Sequence, residues 1–128
     1  MRTCIYRIFV SACVAALVLG CATRGHTGAP RIMEVTRTTY KKNVPVDQQR
    51  EEFYVVWTGD NITQVKFEYR QVNRPNEVFA RSYVPTKRRW YVFELRGAEF
   101  EEGGKVSAWR VSLWRDNQML AEQKSALW

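Results

Sequence analysis

One histidine in 128 residues, and no cysteine beyond position 21, remove most catalytic and metal chemistry from this chain. A Ser or Cys nucleophile needs a base to take its proton, usually His. The single His26 sits among Gly25, Thr27 and Gly28, where no rigid triad can be assembled. Cys4 and Cys13 lie in the N-terminal 20 residues, so a chain cut before Cys21 has neither a disulfide pair nor a thiolate cluster. Glycine-rich phosphate loops and metal-ligand spacings are missing as well. The most obvious carboxylate couple, Glu101-Glu102, precedes Gly103-Gly104; adjacent side chains of extended backbone point opposite ways, so a solvated turn is expected. These absences describe a non-enzyme with no catalytic residue, no metal and no cofactor.

No acidic residue precedes Glu34, and no apolar run is long enough to span a bilayer. Ile8 to Leu19 is a stretch of 12 residues interrupted only by Ser11, whereas a ~30 Å hydrocarbon layer needs about 20. With Arg2 and Arg7 before it, the run has the proportions of a secretory leader. It ends in Val18-Leu19-Gly20-Cys21, which resembles the lipobox of bacterial lipoproteins. That resemblance implies removal of residues 1–20 and acylation of Cys21, whose lipid would hold the chain to a membrane. Two or three acyl chains make release negligible where one anchors only marginally. Ala22 stands where an Asp would mark inner-membrane retention, which implies an outer membrane with the protein facing the periplasm. Residues 21–31 are small, polar or Gly/Pro and read as the lipidated cysteine with a flexible linker.

The formal charge of +7 falls to +3 once Arg2, Arg7, Arg24 and Arg31 are set aside, with acidic residues interspersed among the rest. Such a balance is no nucleic-acid footprint, and it argues against an inhibitor of a basic host lysozyme, which should be acidic. Six Phe, six Tyr and five Trp supply the surface for one compact core at 32–128. There the apolar pattern has period 2 and is broken by turn residues every 8 to 14 positions. The expected strands are Ile32–Tyr40, Phe53–Thr58, Ile62–Val72, Val78–Val84, Arg89–Leu95, Val106–Trp114 and Met119–Leu127. Gly59-Asp60-Asn61, Arg74-Pro75-Asn76 and Pro85-Thr86-Lys87 are read as turns, and Asp116-Asn117 as the tip of a final hairpin. Seven strands imply an all-β antiparallel sandwich. Phe100, Gly103-Gly104, Val106, Ala108, Arg110, Val111 and Leu113, followed by Leu120-Ala121-Glu122, resemble the closing strands of immunoglobulin-like and fibronectin type III-like domains, without the cysteine pair of the former.

Basic and aromatic residues meet in two places. Lys87-Arg88-Arg89 runs into Trp90-Tyr91, and Arg110 and Trp114 share one face of a strand if Trp109, Val111 and Leu113 take the other, with Trp128 ending the chain. Arg110, Trp114, Trp128, Arg88, Arg89 and Trp90 are therefore the candidate binding residues, because Trp beside Arg suits a partner hot spot. The expected partners are the membrane, through the lipid on Cys21, and a protein of the cell envelope that the domain serves as adaptor or assembly factor. A glycan such as peptidoglycan, stacked on the exposed Trp and Arg, is the alternative. The lipid reading is checked by Cys21→Ser, which should abolish palmitate labelling and leave the precursor uncleaved; normal labelling of that variant would refute it.

Overall fold

A computed structural model describes residues 28–128. They form two antiparallel sheets packed face to face, an all-β sandwich of seven strands, as the alternation implies. β1 (Arg31–Tyr40), β2 (Arg50–Thr58) and β5 (Trp90–Arg96) make the first sheet in the order β1-β2-β5. β3 (Gln64–Gln71), β4 (Arg74–Tyr83), β6 (Val106–Arg115) and β7 (Gln118–Lys124) make the second, in the order β4-β3-β6-β7. The chain crosses between sheets after β2, after β4 and after β5, the last time through a short helix α1 (Ala98–Gly103).

Strand alternation decides what is inside. Phe53, Val55 and Trp57 of β2 face Val65, Phe67 and Tyr69 of β3, with Phe93 and Leu95 of β5 and Val111 and Leu113 of β6 completing the core. Aromatic rings form its central seam: Trp57, Tyr83, Tyr91, Phe93, Phe67, Tyr69 and Phe79 follow one another at centroid separations of 4.0 to 6.2 Å. Phe53 joins at Phe67 and carries Trp109 edge-on. Tilted, offset and edge-to-face pairs of this kind add to plain area burial.

Several boundaries differ from the sequence pattern. β2 begins three residues early, because Glu51 takes an inward position that periodicity assigns to an apolar side chain. Arg74-Pro75-Asn76 is no turn: Val72-Asn73 makes it and β4 starts at Arg74. Pro75 is tolerated there because β4 is an edge strand, where a missing N–H costs no ladder bond on the open side. Glu101 and Glu102 are exposed as expected, but in α1, and β7 stops at Lys124 rather than Leu127. Ile62 is a buried loop residue ahead of β3. The hairpin tip is where expected, with Asp116 at φ 52°.

Two polar clusters fasten the sheets to each other. Glu51 is completely buried; its carboxylate accepts from Arg37 Nε at 3.0 Å and Nη2 at 2.7 Å, from Thr39 Oγ1 at 2.9 Å and from the Val106 amide at 2.8 Å. Arg37 also donates to the Val106 carbonyl at 2.8 Å, so β1, β2 and the start of β6 share one network. At α1, Glu99 takes the Tyr69 hydroxyl and the Arg81 guanidinium, while Arg81 also reaches the Glu94 carbonyl. Burial pushes the Tyr69 hydroxyl above its usual pKa, against the downward pull of Arg81. Gln71, buried beneath α1, donates to the Glu99 and Gly104 carbonyls, and a Cβ at Gly103 would overlap its amide.

The N-terminal segment is fixed at one end of the sandwich. Thr58 Oγ1 donates to the Ala29 carbonyl at 3.2 Å, and Gly59 at φ +112° lets Pro30 pack where a Cβ would collide. Glu51→Ala should cost about 2–3 kcal/mol of folding free energy in a denaturant titration, less than the loss of a fully buried pair because Arg37 can rehydrate. An unchanged midpoint would show that the network is not holding the sheets.

Candidate functional site

The outward positions of β3, β6 and β7 carry a layer of charged and aromatic side chains. Register places Glu68 opposite Arg110, Lys66 opposite Ser112, and Ser112 opposite Glu122. Arg110 contacts Glu68 at 2.8 Å and Glu122 at 3.7 Å, bridging three strands, and Glu68 is buried beneath the layer. Trp114 folds over Ser112, donating Nε1–H to its hydroxyl at 2.8 Å, with Lys66 Nζ 6.0 Å from the ring. The C-terminal residues return to the same face. Ser125 donates its amide to the Trp109 carbonyl at 2.9 Å and accepts the Trp109 amide on Oγ at 3.0 Å. That turn brings the Trp128 ring to 5.1 Å from the Arg70 guanidinium and 5.3 Å from that of Arg110.

A second basic and aromatic group lies at the β4–β5 turn. The Arg88 guanidinium is 4.7 Å from the Trp90 ring, and Trp90 packs on Tyr54 at 6.0 Å on the outer side of the three-stranded sheet. Arg89 is spent locally: it pairs with Asp60 at 2.7 Å, and its carbonyl accepts the Trp57 amide at 3.1 Å. Among the described residues Lys87 and Arg88 are exposed and have no carboxylate partner. A cleft of about 350 Å³ lies here, between the β2–β3 loop at Asp60-Asn61 and the Thr86 to Arg89 turn, with Trp57 at its base. Farther along the same outer sheet face Arg50 lies over the Tyr40 ring at 4.1 Å, and its hydrogen bond to Glu52 raises its pKa further.

The six candidate residues thus fall into two places. Arg110, Trp114 and Trp128 share the outer face of the four-stranded sheet, while Arg88, Arg89 and Trp90 lie at the β4–β5 turn and the edge of the other sheet. Trp109 sits on the core side, as alternation implies. Arg70 and Tyr54 were missed as partners of Trp128 and Trp90. Arg70 becomes visible only with the β3–β6 register, and Trp128 only with the Ser125 turn, neither of which leaves a local pattern. Cys21 lies outside the described residues. Among the described residues, no helix is long and apolar enough to cross a membrane, and no cluster of three or more His, Cys, Asp or Glu could hold a metal ion.

No protein-family model, curated protein or solved structure matches the chain.

The arrangement is suited to recognition. Its Trp and Arg side chains are already held in place, so a partner would not have to immobilise them. The layer also stabilises the sheet. Arg110→Ala should cost about 2 kcal/mol, because it leaves the buried Glu68 carboxylate with only the longer 4.0 Å pair to Lys66, and Trp128→Ala about 1 kcal/mol. Denaturation of the double variant should show less than the sum, since both remove the same contact; strict additivity would mean that the ring and the guanidinium do not interact.

Proposed function

We propose that this is a bacterial lipoprotein, anchored by lipid on Cys21 in the outer membrane and facing the periplasm, whose sandwich binds another protein of the cell envelope as an adaptor or assembly factor. The observation that carries the reading is the ordered Trp and Arg layer on the four-stranded sheet, with Trp128 over Arg70 and Arg110 and Trp114 beside Lys66. Rigid Trp and Arg groups of this kind dominate protein hot spots, where binding energy concentrates in few side chains. The strand order supports an immunoglobulin-like or fibronectin type III-like domain: β1-β2-β5 and β3-β6-β7 correspond to strands A-B-E and C-F-G, with β4 on the free edge of β3.

Sugar stacking is the second reading, and it needs a free ring face. The cations lying over Trp114 and Trp128 compete for those faces, which favours a protein partner over a glycan. A photo-crosslinking amino acid placed at Lys124 or Ser82 in the full chain, in its own cells, should give one discrete protein adduct. The same probe at Thr38, on the opposite sheet, should give none. Arg70→Glu should remove the adduct while lowering the unfolding free energy by no more than about 1 kcal/mol, since Arg70 gives up the Trp128 ring contact but makes no ion pair among the described residues. Adducts of equal strength from both sheets, or from neither, would sink the proposal. A saturable shift of Trp emission with peptidoglycan fragments would transfer the face to sugars.

A further inference from the structure

We infer that the end of the sandwich carrying Arg31, Lys87 and Arg88 is a docking surface for an anionic phospholipid bilayer, so that the domain rests on the membrane in a fixed orientation. The inference rests on the lipid-anchor reading and adds to it a surface, a partner chemistry and a direction.

Three observations converge on this end. The chain joins the sandwich here, with Ala29 and Pro30 held by Thr58 and Gly59. Seven peptide steps separate Cys21 from Gly28, a reach of at most about 25 Å. A lipid on Cys21 would therefore keep this end the nearest to the headgroups.

The charge at this end matches that neighbour. Arg31, Lys87, Arg88, Arg89 and Arg115 are opposed only by Asp60 and Asp116, a surplus of three positive charges. Two of the five cations are internally engaged: Arg89 pairs with Asp60, and Arg115 donates to the Asp60 and Asn61 carbonyls at 2.8 and 3.3 Å. Arg31, Lys87 and Arg88 remain exposed and have no carboxylate partner among the described residues. Elsewhere on the domain the arginines at 37, 50, 74, 81, 96 and 110 are each paired with a carboxylate; Arg70 lies against the Trp128 ring, and Lys41, Lys42, Lys105 and Lys124, unpaired among the described residues, lie away from the point where the chain joins the sandwich. Trp90, 39% exposed beneath Arg88, adds an amphipathic ring of the kind that settles at headgroup level. Cations near an anionic leaflet add up and act within a Debye length, a condition that the short tether would meet.

A single-stranded nucleic acid could use the same chemistry, but a chain tied within about 25 Å of a bilayer presents this end to lipid first. Orientation then follows. With this end down, the outer face of the four-stranded sheet stands roughly along the membrane normal, open to a partner at the side.

The test uses the full chain, processed and reconstituted in vesicles, with palmitate on Cys21 scored separately. Thr86→Cys reports on the docking end and Gln48→Cys on the opposite end. Each is labelled with a polyethylene-glycol maleimide in phosphatidylcholine vesicles and in vesicles with 30% phosphatidylglycerol, a proportion of about 7:3. In the anionic vesicles Thr86→Cys should react about ten-fold more slowly than Gln48→Cys; 1 M salt, or Arg31→Gln/Lys87→Gln/Arg88→Gln together, should restore equal rates. A palmitate-bearing chain with the same rate ratio in both vesicles would overturn the docking surface and leave the anchor standing. Absence of palmitate would overturn the anchor and this inference with it. Shielding of Thr86→Cys that requires an added oligonucleotide, equally in both vesicles, would overturn the bilayer as the occupant.

Discussion

A carboxylate shut away from water has to be surrounded by donors, and Glu51 is the point at which this constraint organises the domain. Desolvating an ion costs several kcal/mol even after relaxation, so the network around it cannot be left half made. Its donors come from β1, through Arg37 and Thr39, and from the first residue of β6, the Val106 amide. Arg37 closes the loop by donating to the Val106 carbonyl. The start of β6 is thereby fixed against the opposite sheet. A one-residue bulge between Val106 and Ala108 then resets the alternation, which sends Val111 and Leu113 inward and Arg110, Ser112 and Trp114 outward. A one-residue slip in β6 would exchange the two sets, burying Arg110 and exposing the core. The candidate recognition face therefore depends on a carboxylate that lies on the other sheet and that no ligand would touch.

How much of this was readable beforehand follows from where the determinants are. Strands with a clean period, β3, β5 and β6, were legible, as were the face split between Trp109 and Trp114 and the turn at Asp116. Glu51 and Arg37 were not, because a charged residue on an inward position breaks the pattern used to find strands, and only a third residue, Val106, makes it acceptable. Pro75 misled for a related reason: it reads as a turn, yet an edge strand tolerates it. The six residues of α1 are too few to show a helical period at all. At the recognition face, the residue types were visible and their grouping was not. Trp128 meets Arg70 and Arg110 across strands and across the Ser125 turn, contacts set by register rather than by neighbours in the chain.

The two basic regions differ in a way that bears on what each can do. On the four-stranded sheet the cations are ordered, Arg110 by two carboxylates, Lys66 by Glu68 and the Trp114 ring, and Arg70 by the Trp128 ring. Charge so engaged contributes little long-range attraction but presents a fixed shape, and shape is what a protein partner reads. At the tether end, among the described residues, Arg31 and Lys87 have neither a carboxylate nor a ring partner, and Arg88 has the Trp90 ring alone. Free cations on flexible stems make poor specific contacts and good diffuse ones, which is the requirement at a fluid, anionic surface. If the two regions were exchanged, the rigid layer would face lipids that cannot match its shape, and the loose cations would face a partner that needs it. Under the proposed lipid anchor, the search for a partner would be reduced to two dimensions, raising its effective concentration without any added contact. The proposed orientation on that surface would add to the gain, because the candidate recognition face would then be turned sideways towards neighbours rather than averaged over all directions.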